Sequence, residues 1–264
     1  MNKPEMKLSE VADLLRTAAR EEILPRYRKV TGALKADGSW LTEADTAMQN
    51  RVQRDLASRW PDIPFLGEEM SAEEQQALMR QADTGLWILD PVDGTTNFSV
   101  GLPIFGPSLA LIRGGQVVLG VVMDVMRDEV FSAALGEGAW LNGERMQPVV
   151  SNLPLSKTVA CIDFKRLAPA LATRMACEPP YSSQRSIGSV ALDWCWVAAG
   201  RFHVYLHGKQ GLWDYAAGHL ILQEVGGHSC TLEGEPVFNN TLEKRSAVCA
   251  GDARLFAEWC KALR

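Results

Sequence analysis

The segment that decides the fold reads Trp87-Ile-Leu-Asp-Pro-Val-Asp-Gly-Thr-Thr-Asn-Phe98. Its apolar start predicts a short strand, and Asp90 and Asp93 follow at the strand end, three residues apart around a proline. Gly94 and the two threonines after it free the backbone and predict the start of a helix. The carboxylates therefore stand where a strand gives way to a helix, although Asp-Pro and Asp-Gly are also common in simple turns.

Two carboxylates on such a bend can share a hard cation, because Mg²⁺ takes oxygen ligands in octahedral geometry and keeps some of its water. The backbone amides of Gly94 and Thr95, with a helix dipole behind them, would offer donors to a phosphate oxygen. The chain has a net charge of −5, which repels a phosphorylated substrate. A cation site at this bend would reverse that field locally.

Further acids have a plain structural explanation when each is taken alone. Glu68 follows Gly67 after an apolar run, and paired surface glutamates are common. Asp214 and Asp45 stand at the starts of predicted helices, where a capping acid contributes about 1 kcal/mol without any metal. Thr42 with Asp45 three residues later resembles a capping box. As a set, these acids indicate a metal-binding site.

The remaining pattern predicts two halves, 1–150 and 151–264, that pack tightly as one functional unit, with a soft boundary near Val150. The first half carries amphipathic helices at 7–23 and from Thr42, then a meander in which 109–112 pairs with 117–122 across Gly114-Gly115. In the second half, strands near 158–162, 202–206 and 246–250 alternate with helices near 168–175, 189–199, 214–225 and from Arg254. This order predicts an α+β or layered α/β fold with two sheets.

The composition, 47% hydrophobic and 22% charged, is that of an ordinary globular protein. The negative net charge argues against nucleic acid as a partner. No apolar stretch reaches the roughly 18–20 residues of a membrane span, and the N-terminus lacks the apolar region of a signal peptide. We therefore expect a cytoplasmic protein that does not bind membranes and whose six cysteines are reduced and buried.

Glu68, the segment 90–98 and Trp213-Asp214 together resemble the inositol monophosphatase family, whose superfamily also holds histidinol-phosphate phosphatases, 3′,5′-bisphosphate nucleotidases and fructose-1,6-bisphosphatases. The similarity runs roughly from Leu8 to Ala250. Further blocks that fit are Lys35-Ala-Asp-Gly-Ser39, Thr42-Glu-Ala-Asp45, Gly138-Ala-Trp-Leu-Asn-Gly143, Arg185-Ser-Ile-Gly-Ser189, Ala199-Gly-Arg201 and Glu224-Val-Gly-Gly227. The resemblance implies the layered α-β-α-β-α sandwich of this superfamily, a homodimer, and inhibition by lithium.

The resemblance also implies a role for each candidate residue. The ligands of two or three Mg²⁺ ions would be Glu68, Asp90, the Val92 carbonyl, Asp93 and Asp214. Asp45 and Thr95 would position and deprotonate the attacking water, and Glu68 would orient water at a third, weaker site. The Gly94 and Thr95 amides would bind phosphate. The substrate side would include Arg185, Gly188, Ser189 and His207.

The substrate itself is less defined. In the family that this chain resembles, members selective for inositol phosphate carry a glutamate seven residues before the aspartate that corresponds to Asp214. This chain has His207 at that position. His207 and Lys209 would favour an extra negative charge, such as a second phosphate, unless they are solvated loop residues. Arg185 with Asp193 is expected to be a structural ion pair or a contact between subunits.

The leading hypothesis is a Mg²⁺-dependent phosphomonoesterase that hydrolyses inositol monophosphate or a similar small polyol phosphate by metal-activated water. The first alternative is the same chemistry on a bisphosphorylated nucleotide or sugar, or on histidinol phosphate. A third hypothesis is a non-catalytic interaction protein that keeps the fold. The intact set of acids argues for an enzyme, because a scaffold has no need for so many converging charges.

Overall fold

The computed structural model describes residues 6–29, 33–34 and 40–264, with 33–34 described as backbone only. The matching block Lys35-Ala-Asp-Gly-Ser39 lies outside these residues. The helices in the described part are α1 (Leu8–Glu22), α2 (Glu43–Arg59), α3 (Ala72–Met79), α4 (Thr95–Val100), α5 (Pro169–Cys177), α6 (Val190–Ala198), α7 (Leu212–Glu224) and α8 (Ala253–Leu263). Short 3₁₀ turns lie at Leu24–Arg26, Leu155–Lys157 and Phe164–Arg166.

The strands form two larger sheets and one hairpin. The hairpin pairs β1 (Ala33–Leu34) with β2 (Trp40–Leu41). A seven-stranded sheet has the order β3 (Phe65–Gly67), β4 (Leu86–Asp93), β5 (Gly106–Arg113), β6 (Gln116–Asp124), β7 (Glu129–Ala134), β8 (Gly138–Leu141), β9 (Glu144–Arg145). A five-stranded sheet uses β10 (Val159–Asp163), β11 (Ser183–Arg185), β12 (Val204–Gln210), β13 (His228–Cys230) and β14 (Arg245–Ala250), in the order β11-β10-β12-β14-β13.

Side-chain alternation along the strands builds the layers. On β5, Leu109 and Leu111 join a core with α1 and α2, whereas Ala110 and Ile112 join a second core with α6 and α7. On β12, Tyr205 faces that second core, and its neighbours on the strand face a third core with α5 and α8. The order of layers is therefore helices, seven-stranded sheet, helices, five-stranded sheet, helices. This confirms the α+β layered sandwich predicted from the sequence.

Local predictions in the first half are confirmed by the register and by the caps. Ile112 lies opposite Val117 across the Gly114-Gly115 turn. Thr42 and Asp45 form the capping box of α2. The strand predicted at 87–89 is longer than expected, because β4 stays buried and paired as far as Asp93. The boundary near Val150 falls in the segment between the two sheets and stays a prediction.

The cysteines and the helices settle two smaller expectations. All six cysteines are free thiols, but Cys177 is exposed, so the expectation that they are all buried is wrong. Within the described residues, no helix combines the length and the apolar character that a bilayer crossing needs.

Helix α7 lies against the seven-stranded sheet because the sheet has a glycine at the contact. A Cβ on Gly120 would come within 2.9 Å of the backbone of Ala217, so the helix reaches this depth only over a residue without a side chain. The N-terminal turn of α7 carries Asp214. The close contact therefore sets the depth at which that carboxylate is presented.

Candidate active site

The end of β4 presents two carboxylates to one cleft. Side chains three residues apart on a regular strand point to opposite faces of the sheet. Here the pairing of β4 with β5 shifts register between Asp90 and Asp93, around a proline that cannot donate to the ladder. The Val92 amide donates to the Asp90 carboxylate at 3.0 Å. As a result both carboxylates line the same cleft, of about 500 Å³.

Two further acids reach this cleft from other elements. Asp214 approaches from the first turn of α7, and its carboxylate accepts the Gly211 amide at 2.8 Å. Carboxylate oxygens of Asp90, Asp93 and Asp214 all lie within 4.8 Å of one another. Glu68, which follows β3, lines the same cleft. The structure thus brings together the four acids that the sequence analysis selected as metal ligands.

The cluster is electrostatically unfavourable without a cation. Burial, and then the negative charge of Glu68, raise the pKa of Asp90 well above its ordinary value. Burial raises the pKa of Asp93 to about 6, although hydrogen bonds from Ser189 and Ala191 oppose the rise. Burial and the charge of Asp93 raise the pKa of Asp214 to about 7. Among the described residues, no lysine or arginine forms an ion pair with Asp90, Asp93 or Asp214.

This donor set fits Mg²⁺. The site offers several carboxylate oxygens and the Val92 carbonyl at one wall of a cleft, and hard divalent cations prefer such oxygen ligands. A cation would also relieve the repulsion that raises the pKa values of the three aspartates.

Helix α6 holds Asp93 in place. The Ser189 hydroxyl and the Ala191 amide donate to its carboxylate at 2.6 and 2.7 Å. These donors belong to the N-terminal end of α6, where the helix dipole favours a negative charge. Gly188 and Ser189, predicted on the substrate side, both line the cleft. The Ser189 hydroxyl is already used to orient Asp93.

Thr95 and Asp45 lie next to each other, as a water-activating pair requires. The Thr95 hydroxyl is 2.9 Å from the Val92 carbonyl and 3.4 Å from Asp45 Oδ1. Asp45 is buried, and its other oxygen accepts the Thr42 amide at 2.7 Å and the Thr42 hydroxyl at 2.6 Å. The capping box of α2 therefore also fixes the carboxylate that faces Thr95.

A glycine and an asparagine shape the loop that follows the acids. Gly94 has φ +92°, and a Cβ there would lie 3.0 Å from the Ile104 carbonyl. The Asn97 side-chain amide donates to the carbonyls of Ile104 and Ile187 at 2.8 and 2.6 Å. Asn97 thus joins this loop to the segment before α6. The sequence analysis gave Asn97 no separate role, although it lies in the deciding segment.

The substrate side differs from what was expected. His207 and Lys209 are not on a loop: both belong to β12, and His207 is only 2% exposed. The expected Arg185–Asp193 ion pair is wrong. Asp193 is buried and accepts the Cys161 thiol at 2.9 Å, whereas the Arg185 guanidinium donates to Ser183 and Gln184. Arg185 does not line the cleft.

Four charged residues that the sequence analysis did not single out also line the cleft: Asp163, Lys165, Arg166 and Lys244. The first three stand where β10 ends, in the run Asp163-Phe-Lys-Arg166. A strand that ends in consecutive charges was the available signal.

The chain is similar to known proteins over most of its length. Residues 6–264 match the inositol monophosphatase family. An inositol-1-monophosphatase of Mesorhizobium japonicum is 34% identical over 207 residues, which make up 76% of each chain. A Nus factor SuhB of Pasteurella multocida is 37% identical over 206 residues, 76% of this chain and 75% of the relative. The solved structure of a Thermotoga maritima IMPase has a TM-score of 0.84 at 29% identity and covers 97% of this chain and 96% of its own. The chain belongs to the inositol monophosphatase family.

Proposed function

We propose that this member of a phosphatase family is a Mg²⁺-dependent phosphomonoesterase that hydrolyses a small phosphorylated metabolite with water as the nucleophile. The observation that supports this best is the group of three carboxylates within 4.8 Å of one another beside Gly94 and Thr95. Among monophosphates, inositol monophosphate is the first candidate substrate, since a relative 34% identical to this chain is named for it. A homodimer and lithium inhibition remain part of the proposal.

Each residue of the cleft has a separate task in this reaction. Glu68, Asp90, Asp93, Asp214 and the Val92 carbonyl would hold two or three Mg²⁺ ions. When bound, Mg²⁺ would polarise the phosphate ester and lower the pKa of water near it. The amides of Gly94 and Thr95 would donate to phosphate oxygens.

The Thr95 hydroxyl and Asp45 would manage the proton of the attacking water. The hydroxyl has the Val92 carbonyl as its nearer acceptor, at 2.9 Å, and would turn its proton to Asp45, which is 3.4 Å away and held by Thr42, while it accepts from the water. The proton thereby leaves the water as its oxygen attacks phosphorus. No side-chain nucleophile is required by this route.

A non-catalytic role is the weaker hypothesis. A protein that only bound a partner would gain nothing from buried acids whose mutual repulsion raises their pKa values. Such a cost is typical of functional sites.

Replacement of Asp90, one of the proposed metal ligands, tests the proposed function. We expect Asp90→Asn to lower Mg²⁺-dependent hydrolysis of inositol 1-phosphate by more than about a hundredfold, because one ligand atom loses its charge. Circular dichroism should show an unchanged fold. Glu144→Gln, at an exposed acid outside the cleft, is the matched control. Full activity of Asp90→Asn, or of the wild type in a chelator, would refute the proposed chemistry.

The raised pKa values predict how stability depends on pH. The metal-free native protein keeps protons on Asp93 up to about pH 6 and on Asp214 up to about pH 7, whereas the unfolded chain releases them near pH 4. The native state then binds more protons, so stability falls as pH rises from about 4 to about 7. Asp214→Asn should make the stability less dependent on pH. It should also raise the melting temperature at pH 8, by about 2–4 °C for each kcal/mol of added stability.

Calorimetric melting in EDTA and in Mg²⁺ measures both effects. Mg²⁺ should stabilise the wild type at pH 8 far more than Asp214→Asn. Equal stabilisation of the two proteins, or a metal-free wild type that becomes more stable up to pH 8, would contradict the electrostatic account.

The proton-transfer pair has its own test. Asp45→Asn should lower kcat by about 10²–10⁴-fold while Mg²⁺ affinity stays within a few fold, because Asp45 acts on the proton and holds no metal. Glu74→Gln is the control, since it makes a similar acid-to-amide change in the capping box of α3, outside the cleft. If both variants lose activity in proportion to their loss of stability, Asp45 is only a capping residue.

A further inference from the structure

We propose that the leaving-group side of the cleft is a second anion subsite, so that the preferred substrates are esters that carry a second phosphate. This inference rests on the proposed function and names its substrate class. The subsite consists of Lys165, Arg166, Lys209 and Lys244, which we call the basic rim.

The basic rim lines the same cleft as the acidic cluster. Its four cations are exposed, and within the described chain none of them forms an ion pair. An ordinary surface lysine has the same exposure. What distinguishes this group is that its four members line one cleft in a protein of net charge −5, and that hydrogen bonds hold the backbone amides of Lys165 and Lys209.

His207 connects the backbone near Lys209 to the strand end that carries Lys165. Its Nε2 lies 3.3 Å from a carboxylate oxygen of Asp163, and its Nδ1 accepts the Lys209 amide at 3.1 Å. The other Asp163 oxygen accepts the Lys165 amide at 3.0 Å. One chain of contacts therefore connects the 3₁₀ turn Phe164–Arg166 to β12.

A glycine allows this turn to lie directly on the strand. A Cβ on Gly208 would come within 1.9 Å of the Arg166 carbonyl, so any side chain there would push the turn away. Gly208 stands between His207 and Lys209. The same few residues thus bring the two cations of the turn next to Lys209.

The rim is also close enough to the acids to affect them. The charges of Lys244 and Arg166 lower the pKa of Asp214 against the larger effect of burial. A phosphate at the acidic cluster and a second anionic group at the rim would therefore lie within one cleft. A cleft of about 500 Å³ has the size that small-ligand sites usually have.

His207 itself is not available to read sugar hydroxyls. Both of its ring nitrogens are engaged, and the side chain is buried. We therefore assign it a positioning role.

The reaction is unchanged by the second group. Water adds to one phosphorus atom, the bond from that phosphorus to the ester oxygen breaks, and the leaving oxygen takes up a proton. The products are inorganic phosphate and an alcohol that still carries the other phosphate. That retained phosphate would occupy the basic rim.

Matched substrate pairs test the inference, because each pair differs only by the second phosphate. The pairs are inositol 1,4-bisphosphate with inositol 1-phosphate, fructose 1,6-bisphosphate with fructose 1-phosphate, and adenosine 3′,5′-bisphosphate with adenosine 3′-phosphate. In at least one pair, kcat/KM should be about tenfold or more higher for the bisphosphate, since one charge-assisted contact has about that effect. The pair with the largest ratio of kcat/KM for the bisphosphate to kcat/KM for the monophosphate shows whether the preferred substrate is a polyol, a sugar or a nucleotide.

Variants locate the effect. Lys165→Gln, Arg166→Gln and Lys209→Gln should each lower the ratio by about three- to tenfold, mainly through KM, and added salt should lower it further. Gly208→Ala should lower the ratio without removing any charge, because it displaces the turn. Lys157→Gln, outside the cleft, is the control and should leave the ratio unchanged.

Each contrary outcome has one meaning. If monophosphates are hydrolysed as fast as bisphosphates in every pair, the second subsite is refuted and the proposed function stands. A bisphosphate preference that survives all three glutamine substitutions refutes the assignment to the basic rim. If no ester in the panel is hydrolysed with Mg²⁺, the proposed function itself fails.

Discussion

Repulsion between carboxylates held together away from water is the constraint on which the site depends. Asp90, Asp93 and Asp214 lie within 4.8 Å of one another, and burial and mutual charge raise their pKa values. A polypeptide does not assemble such a group without compensation, because each added negative charge makes the next ionisation harder. In the proposed function, divalent cations would supply that compensation, and with it the positive field that a negative protein needs to attract an anionic ester.

The packing of the layered fold keeps the acids together. Asp90 and Asp93 come from β4, Glu68 follows β3 and Asp214 lies in the first turn of α7, and these elements are fixed by packing on both faces of the seven-stranded sheet. Close backbone contacts at two glycines set how near the neighbouring segments lie. The missing side chain of Gly120 lets α7 pack on the sheet, and that of Gly94 lets the segment after β4 pack against Ile104. The hydrophobic core thus stabilises an arrangement that the charges of the carboxylates oppose, which is the usual balance between stability and function.

Much of this could be predicted from the sequence. The capping box at Thr42 and the meander follow from local pattern, and the 90–98 segment indicated the family and two members of the acidic cluster. The sequence could not show that His207 lies buried on a strand, because its exposure depends on pairing with β10 and β14. The error over Arg185 and Asp193 has the same origin. Opposite charges suggest a pair, but only the fold reveals that Asp193 instead accepts a cysteine thiol.

The most direct test of the account is to locate the ions. Manganese replaces magnesium at oxygen ligands and scatters X-rays anomalously, so crystals soaked in Mn²⁺ would show its positions. The account predicts at least two peaks per chain, with one in contact with Asp90, Asp93 and Asp214 and another beside Glu68. An anomalous map with no peak among these acids, from protein that hydrolyses its substrate in Mn²⁺, would contradict it.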